Sequence, residues 1–516
     1  MIIKLLFIVL LISAMTCSVN AQFPDEIKLS KTELQDKIKG GWAGQTIGVT
    51  WTKPSENAYQ SSLIPDYVQY EWGSHIVNRF MHNDDIYMDF TFMEVIESEG
   101  IDASAASHAR AMAEAEYPLW HANQTARYNV LNGIMPPESG HWKHNIHADC
   151  IDAQIEADFA GLMAPGMINA ATDITDKVHH IMNSGNAYYG AAFVAAMYSQ
   201  AFISDDIDFV VNEALKVVPK NSEFYKAMKE VILWCKQYPD DWRNTWFEVQ
   251  KSDWSKTMAC PEGVFKPFNL DAITNAAYIV IGLKYGKKDF FKTMDISMRC
   301  GDDSDCNPSN AAGILGTMIG YRNIPDYWLK ELQKYEDVDL RYTTTSLNRA
   351  YAVSFKHAIQ NIVKNGGRDL GKAVFIKYQE PEDLPYEEAF PNIYPVKRFD
   401  WQRDKKGKLV ETFTTPVAFT GTGFAISGAV FYKDDWRSRG VDYVGELEIY
   451  IDSKLDAVRT LPANFHSRAQ EFYVNLELPQ GDHAFQLKWR NPDKDAEIHV
   501  WNVVIYSDEL VTIHHH

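Results

Sequence analysis

The spacing of apolar residues changes once along the chain, near residue 366. From about residue 30 to 365, apolar positions recur every three or four residues, with much alanine and few alternating runs. That period is the mark of helices with one buried face. It predicts helices over 102–117, 186–202, 223–237, 270–286 and 348–364. The run 186–196 is apolar on nearly every face, which predicts a central helix of the bundle. Asn365-Gly366-Gly367 closes the last helix, and Pro381, Pro385, Pro391 and Pro395 then fall within fifteen residues. Beyond them alternation takes over. Residues 446–452, 471–476 and 483–489 read as strands, with turn signals at Gly421-Thr422-Gly423 and Pro479-Gln480-Gly481-Asp482. The predicted fold is multidomain: an all-α domain over 22–366, a Pro-rich linker over 367–399, and an antiparallel β-sandwich over 400–513, a candidate carbohydrate-binding module. No internal repeat interrupts this order.

Length and charge narrow the picture. A chain of 516 residues exceeds one compact core. Lys4 precedes the apolar run Leu5 to Ile12, and Val19-Asn20-Ala21 places small residues at −3 and −1 before Gln22. Residues 1–21 therefore read as a signal peptide, and the mature protein as periplasmic or extracellular. Cys17 lacks a good lipobox. No other apolar run is long enough to span a bilayer. The net charge, 50 − 69 = −19, argues against a nucleic-acid partner. It suits a neutral small-molecule or oligosaccharide substrate, or an anion held through a metal. Oligomeric state is left open. Of six cysteines, Cys17 leaves with the signal. The odd remainder makes no disulfide scaffold, although one bridge stays open. Cys300 and Cys306 have no histidine nearby and do not form a zinc pattern.

Candidate chemistry centres on 298–313, Met-Arg-Cys-Gly-Asp-Asp-Ser-Asp-Cys-Asn-Pro-Ser-Asn-Ala-Ala-Gly. Asn307 reads as an N-cap and Pro308 as the first helical residue. The following helix, 311–321, is rich in small residues, as expected where another backbone comes very close. Asp303 and Asp305, on an extended turn, can point the same way and suit a hard cation such as Mg²⁺ or Ca²⁺. The plainer reading is a solvated acidic turn. Asn83-Asp84-Asp85 repeats the arrangement at a second helix start, where the helix dipole already favours acids. Gly40, Gly44 and Gly48 line one face of a first helix, followed by a loop over 51–56 in which Glu56 could reach a site. Asp149 to Phe159 reads as an acidic helix. On it Asp152 and Glu156 share a face, and Glu156 or Asp158 is a candidate general acid. His179 and His180 fall between helices and are candidate substrate contacts. Trp51, Trp72, Trp120 and Trp142, in or near loops, are candidates for stacking on a sugar or a base.

Together these pieces resemble the ADP-ribosylglycohydrolase family over about residues 30 to 340: the Gly-rich first helix, Asn83-Asp84-Asp85, and Gly301-Asp302-Asp303-Ser304-Asp305-Cys306. The resemblance implies an all-helical domain with two Mg²⁺ ions, or another divalent cation, between the early and late motifs. Its ligands would be Asp84, Asp85, Asp303 and Asp305, with Asn83 standing where threonine usually ligates and Cys306 where serine or threonine does. A thiol is a soft ligand and a poor partner for Mg²⁺, so one ion is as consistent as two. The chemistry implied is hydrolysis at the anomeric carbon of ribose. Candidate catalytic residues are Glu56, Asp84, Glu156, Asp158 and Asp303; candidate substrate contacts are Trp51, His179, His180 and Asn307. The export signal and the appended sandwich suit a secreted metal-dependent glycoside hydrolase acting on a furanoside or other glycan-derived sugar. The alternatives are an ADP-ribosyl hydrolase and a non-catalytic glycan-binding protein that would use Trp436, Tyr443 and Trp489.

Overall fold

The computed structural model describes residues 24–255, 259–267, 270–401 and 407–509. Residues 1–21, read from sequence as a signal peptide, and His514-His515-His516 lie outside the described residues. Helices Ala105–Glu114, Asn186–Ala201, Glu223–Gln237, Ala272–Gly286 and Leu347–Lys364 occupy the stretches with three- and four-residue spacing. Helix Asn186–Ala201 is buried at every residue after its first. It touches helices Ile168–His179, Asp158–Leu162, Ile207–Ala214 and Cys306–Ile319, which makes it the hub of the bundle. Among the described residues, no helix is long and apolar enough to cross a membrane.

The most intimate packing joins helix Lys31–Thr52 to helix Cys306–Ile319. A Cβ at Gly40 would sit 2.1 Å from the carbonyl oxygen of Gly316, and one at Gly44 would sit 2.2 Å from that of Ala312. The two backbones are in contact, so only glycine fits at the crossing. This contact places the acidic turn before the late helix directly against the end of the first.

The stretch 367–399 is not a plain linker. Strand Ala373–Lys377 pairs antiparallel with Arg368–Leu370 on one side and with Glu26–Ser30 on the other. The alternation in Ala373–Lys377 sends Val374 and Ile376 into the helical core. The Pro-rich part then runs along the bundle, pinned where Leu384 N donates to Val217 O. Proline density signals the absence of helix but does not show whether the chain is free or packed.

The sandwich has two antiparallel sheets. One contains Glu471–Asn475, Gly423–Tyr432, Ala496–Ser507 and Tyr394–Asp400, with the short Lys408–Leu409 at its side. The other contains Val417–Gly421, Gly481–Trp489, Val444–Ile451 and Lys454–Pro462. Leu447, Ile449 and Ile451 alternate inward and share one core with Phe424, Ile426 and Phe485. The helical body and the sandwich are in contact. Gln124 Nε2 donates to Arg468 O at 2.8 Å, Tyr128 OH to Thr460 O at 2.9 Å, and Trp120 packs edge-on against Phe465.

Candidate active site

Helix Asp84–Glu99 begins at Asn83, whose side-chain oxygen accepts from Asp84 N at 2.7 Å. The acids of the early motif thus project from a fixed first turn. Across from them the late motif is bent by Gly301 and Asp302, with φ of 82° and 54°. The bend turns Asp302 away, where it accepts from Ser61 N at 2.7 Å and Tyr278 OH at 3.2 Å. Asp303 and Asp305 are left on the other side, and with Cys306 their ligand atoms all lie within 4.8 Å of one another. The helix starts at Cys306, not after Asn307. Asn307 N already donates to Asp303 O, so no side-chain cap is needed there. The Asn307 amide instead donates to Asn275 Oδ1 at 2.8 Å inside the core.

Buried polar atoms normally have partners. Here Asp85 Oδ1 and Oδ2, Asp305 Oδ1 and Asn83 Nδ2 are buried with no hydrogen-bond partner among the described residues, although Cys306 and Ser309 lie beside Asp85. Burial, then the neighbouring Asp84 and Asp305, push the Asp85 carboxyl well up. Burial, Asp305 and Asp85 do the same to Asp303. One fixed cation is at hand. Lys53 Nζ lies 3.1 Å from Asp305 Oδ2 and 2.7 Å from Glu56 Oε2. Burial would lower the Lys53 pKa, but Asp305, Asp84 and Glu56 outweigh it and hold the ammonium charged. Glu56 sits at the rim with its side chain 37% exposed. Burial against the site and repulsion from Asp305 raise its carboxyl to about 7, against the pull of Lys53.

These groups form one end of a cavity of about 740 Å³. Lys53, Glu56, Asn83, Asp84, Asp303 and Cys306 line that end. Tyr87, Trp120 and Tyr342 give aromatic walls, and Arg79, Arg341, Lys266 and Arg437 give positive charge. Arg437 comes from the sandwich, so both bodies enclose the cavity.

Other predicted residues stand behind this wall or away from it. The stretch Asp149 to Phe159 is two short helices, Asp152–Ile155 and Asp158–Leu162, with Glu156 at the break. Neither Asp152 nor Glu156 is on a solvated face. Asp152 reaches the cavity. Glu156 is fully buried behind it and accepts from Asn123 Nδ2 at 2.5 Å. Burial and Asp152 push its carboxyl well up. Asp158 is a core group, bonded by the Tyr198 hydroxyl and by Asn310 Nδ2. Trp51 is a packing residue. It meets Trp328 edge-on at 5.3 Å, and its Nε1 donates to Tyr70 O. His179 is fully buried, with ring nitrogens on the backbone oxygens of Glu156 and Thr175. Burial lowers its pKa to about 4, so it braces the Glu156 segment as a neutral ring. His180 bonds Glu387 at 2.9 Å and lies over Tyr188. In the sandwich, Trp436 packs against Phe465 and Trp501, and Trp489 Nε1 donates to Tyr443 OH.

Lys53, Asn123, Arg341 and Arg437 were not singled out from sequence. Lys53 stands three residues before Glu56, and that i,i+3 charge pair was a legible signal. The two arginines reach the cavity from loops distant in sequence, and no local pattern announces them.

A sequence model of the ADP-ribosylglycohydrolase family matches residues 30–360. The chain belongs to that family. The match spans the helical body and stops before the sandwich. No curated protein matches the chain. A solved structure described as an ADP-ribosylglycohydrolase-related protein complex is similar at 12% identity and a TM-score of 0.42, covering 63% of this chain and 98% of that one. ADP-ribosylglycohydrolases are hydrolases that typically depend on a metal. The carboxylates of Asp84, Asp85, Asp303 and Asp305 fit a hard divalent cation, because the orphaned oxygens of Asp85 and Asp305 lack just such a partner. Cys306 does not fit as a ligand to that kind of ion.

Proposed function

We propose that the protein is an exported, divalent-cation-dependent glycoside hydrolase that cleaves at the anomeric carbon of a furanoside or another small glycan-derived sugar. The observation that carries this reading is the set of buried, unpartnered oxygens on Asp85 and Asp305, set behind the end of the cavity that Asp84, Asp303 and Cys306 line. When bound by these acids, a Mg²⁺-like ion would supply Lewis acidity toward sugar hydroxyls and water. The chain's own residues do the rest. Glu56, at the rim beside Lys53 and Asp84, is placed to transfer a proton, giving it to the leaving atom or taking it from the attacking water. The glycosidic bond breaks, the water oxygen bonds to the anomeric carbon, and the departing group leaves with the proton. Asp84, on the wall beside Glu56, accepts from the sugar hydroxyls. Tyr342, exposed at the cavity wall, offers aromatic surface for a sugar ring. Asn123 joins the wall to Glu156 and Asp152, holding that side of the cavity in place.

A second reading is favoured by one observation. Arg79, Arg341, Lys266 and Arg437 all border the cavity, and such a basic set suits the pyrophosphate of an ADP-ribosyl substrate. A panel of aryl furanosides, aryl pyranosides and ADP-ribosylated substrates, assayed with and without EDTA, separates the two. Turnover of aryl glycosides that stops on chelation supports the first reading. Turnover of ADP-ribosyl substrates alone supports the second, and activity indifferent to chelator contradicts both.

A further inference from the structure

A second cluster of metal-binding side chains lies at the seam between the helical body and the sandwich, and nothing in the acid site uses it. His121, His147 and Cys260 place a ring nitrogen, a ring nitrogen and a sulfur within 4.8 Å of one another. His147 Nδ1 is 2.9 Å from Cys260 Sγ, and Cys150 Sγ lies 3.8 Å from the same nitrogen. His147, Cys150 and Cys260 are all fully buried. The opposite nitrogen of His147, Nε2, is 2.7 Å from Glu471 Oε1 on the first residue of strand Glu471–Asn475. His121 opens helix His121–Leu131 with a φ of 44°, a left-handed conformation that few side chains adopt without compensation.

Two imidazoles and a thiol facing one point, with a carboxylate behind one imidazole, is the chemistry of a soft or borderline divalent metal. The carboxylate fixes which nitrogen of His147 is free to ligate and raises its basicity. Tetrahedral zinc keeps nitrogen and sulfur donors about 3–4 Å apart, as follows from bond lengths of about 2.0–2.3 Å. The atoms here are a small side-chain rotation from that spacing. A hydrogen-bonded Cys–His–Glu series also resembles a nucleophile with its base. The full burial of Cys260 and His147 denies any substrate access to the sulfur, which leaves ligation as the use of the set. His121 lies on the cavity wall, so an ion would have a path in from the cavity.

We infer that His121, His147 and Cys260, with Cys150 in reach as a fourth ligand and Glu471 supporting His147, form a zinc site that ties the β-sandwich to the helical body beside the active cavity. The site joins a helix start, the 145–150 turn, the loop carrying Cys260 and a sandwich strand, so a bound ion would lock the two bodies together.

The test uses the full mature chain with His514, His515 and His516 replaced by alanine, so that the terminal histidines bind nothing. Zinc is measured by plasma mass spectrometry after desalting, and the zinc-stripped protein is then loaded with Co²⁺. The expected result is about one zinc per chain and a thiolate-to-cobalt charge-transfer band, as a tetrahedral site with a sulfur ligand gives. Cys260→Ser and His147→Gln should lose the zinc and Cys260→Ser the band, while Asp303→Ala keeps both. The cobalt spectrum of the parent chain decides the matter even if a variant fails to fold. Less than about one zinc per ten chains with no thiolate band, a Cys150–Cys260 disulfide found after alkylation, or zinc lost in Asp303→Ala but kept in Cys260→Ser would each overturn the inference.

Discussion

Lys53 Nζ lies 3.1 Å from Asp305 Oδ2, so a fixed ammonium holds one oxygen of a fully buried carboxylate while the other oxygen has no partner among the described residues. The acid site is therefore half neutralised by the chain itself. Replacing Lys53 with methionine removes that charge and leaves Asp305 uncompensated. Breaking such a pair costs about 3 kcal/mol or more. Urea unfolding in EDTA should show a loss of that order, and a divalent cation should restore more stability to Lys53→Met than it adds to the parent. An unchanged midpoint in EDTA would mean that Lys53 does not compensate Asp305.

Stability should also depend on pH in a definite sense. Burial raises the carboxyls of Asp149, Asp152 and Asp158 to about 7, 6 and 7, and Glu56 also stands at about 7. In the unfolded chain such groups titrate near 4. Between about pH 4 and 7 the folded protein therefore binds more protons than the unfolded one, so stability falls as pH rises and the penalty is complete above about 7. Thermal melts of chelated protein should give a midpoint several degrees higher near pH 5.5 than near pH 8. A higher midpoint at the alkaline end would contradict the assignment.

The helix crossing tests the packing. Ala exceeds Gly in helix propensity by about 1 kcal/mol. At Gly40 the added methyl would lie 2.1 Å from Gly316 O, and backbone cannot give way cheaply. Gly40→Ala should therefore destabilise, by about 1–3 kcal/mol net as overpacked cores do, in calorimetry of the metal-free protein. Because the crossing also sets the acidic turn against the first helix, divalent-cation affinity should fall with it.

Cys306→Ser tests the one residue of the late motif that a hard cation does not want. Burial and the adjacent Asp303 and Asp305 push the thiol well up, so it stays protonated. A hydroxyl in its place is a hard donor. Calorimetric titration should show Mg²⁺ binding tightened about tenfold, equivalent to about 1.4 kcal/mol. Equal or weaker binding in the serine variant would show that the thiol does not limit the site.

Much of the fold was legible because period is a local property. The buried helix at 186–202 and the alternation at 446–452 follow from it directly. Likewise the small residues of the first and late helices announced a close crossing, which Gly40 and Gly316 supply. The acid site was legible in its two motifs because each motif is contiguous. What escaped depends on contacts distant in sequence. The alternation of Ala373–Lys377 was masked by the prolines after it, and its partner Glu26–Ser30 lies at the other end of the chain. Asp152 and Glu156 looked like one helical face until the break at Glu156 sent that residue behind the cavity and Asp158 into the core. His121, His147 and Cys260 share no spacing rule, since three separate segments carry them to one point.

Asp84, Asp85, Asp303 and Asp305 are proposed to hold a divalent cation on which hydrolysis depends. Isothermal titration of Mg²⁺ into chelator-stripped protein, alongside turnover of the best aryl glycoside or ADP-ribosyl substrate, tests it most directly. The parent chain should bind Mg²⁺ and recover activity in proportion to occupancy. Asp303→Ala and Asp85→Asn should fold, bind Mg²⁺ at least about tenfold more weakly, and turn over at least about a hundredfold more slowly. Full turnover by stripped protein, or by Asp303→Ala in EDTA, would contradict it.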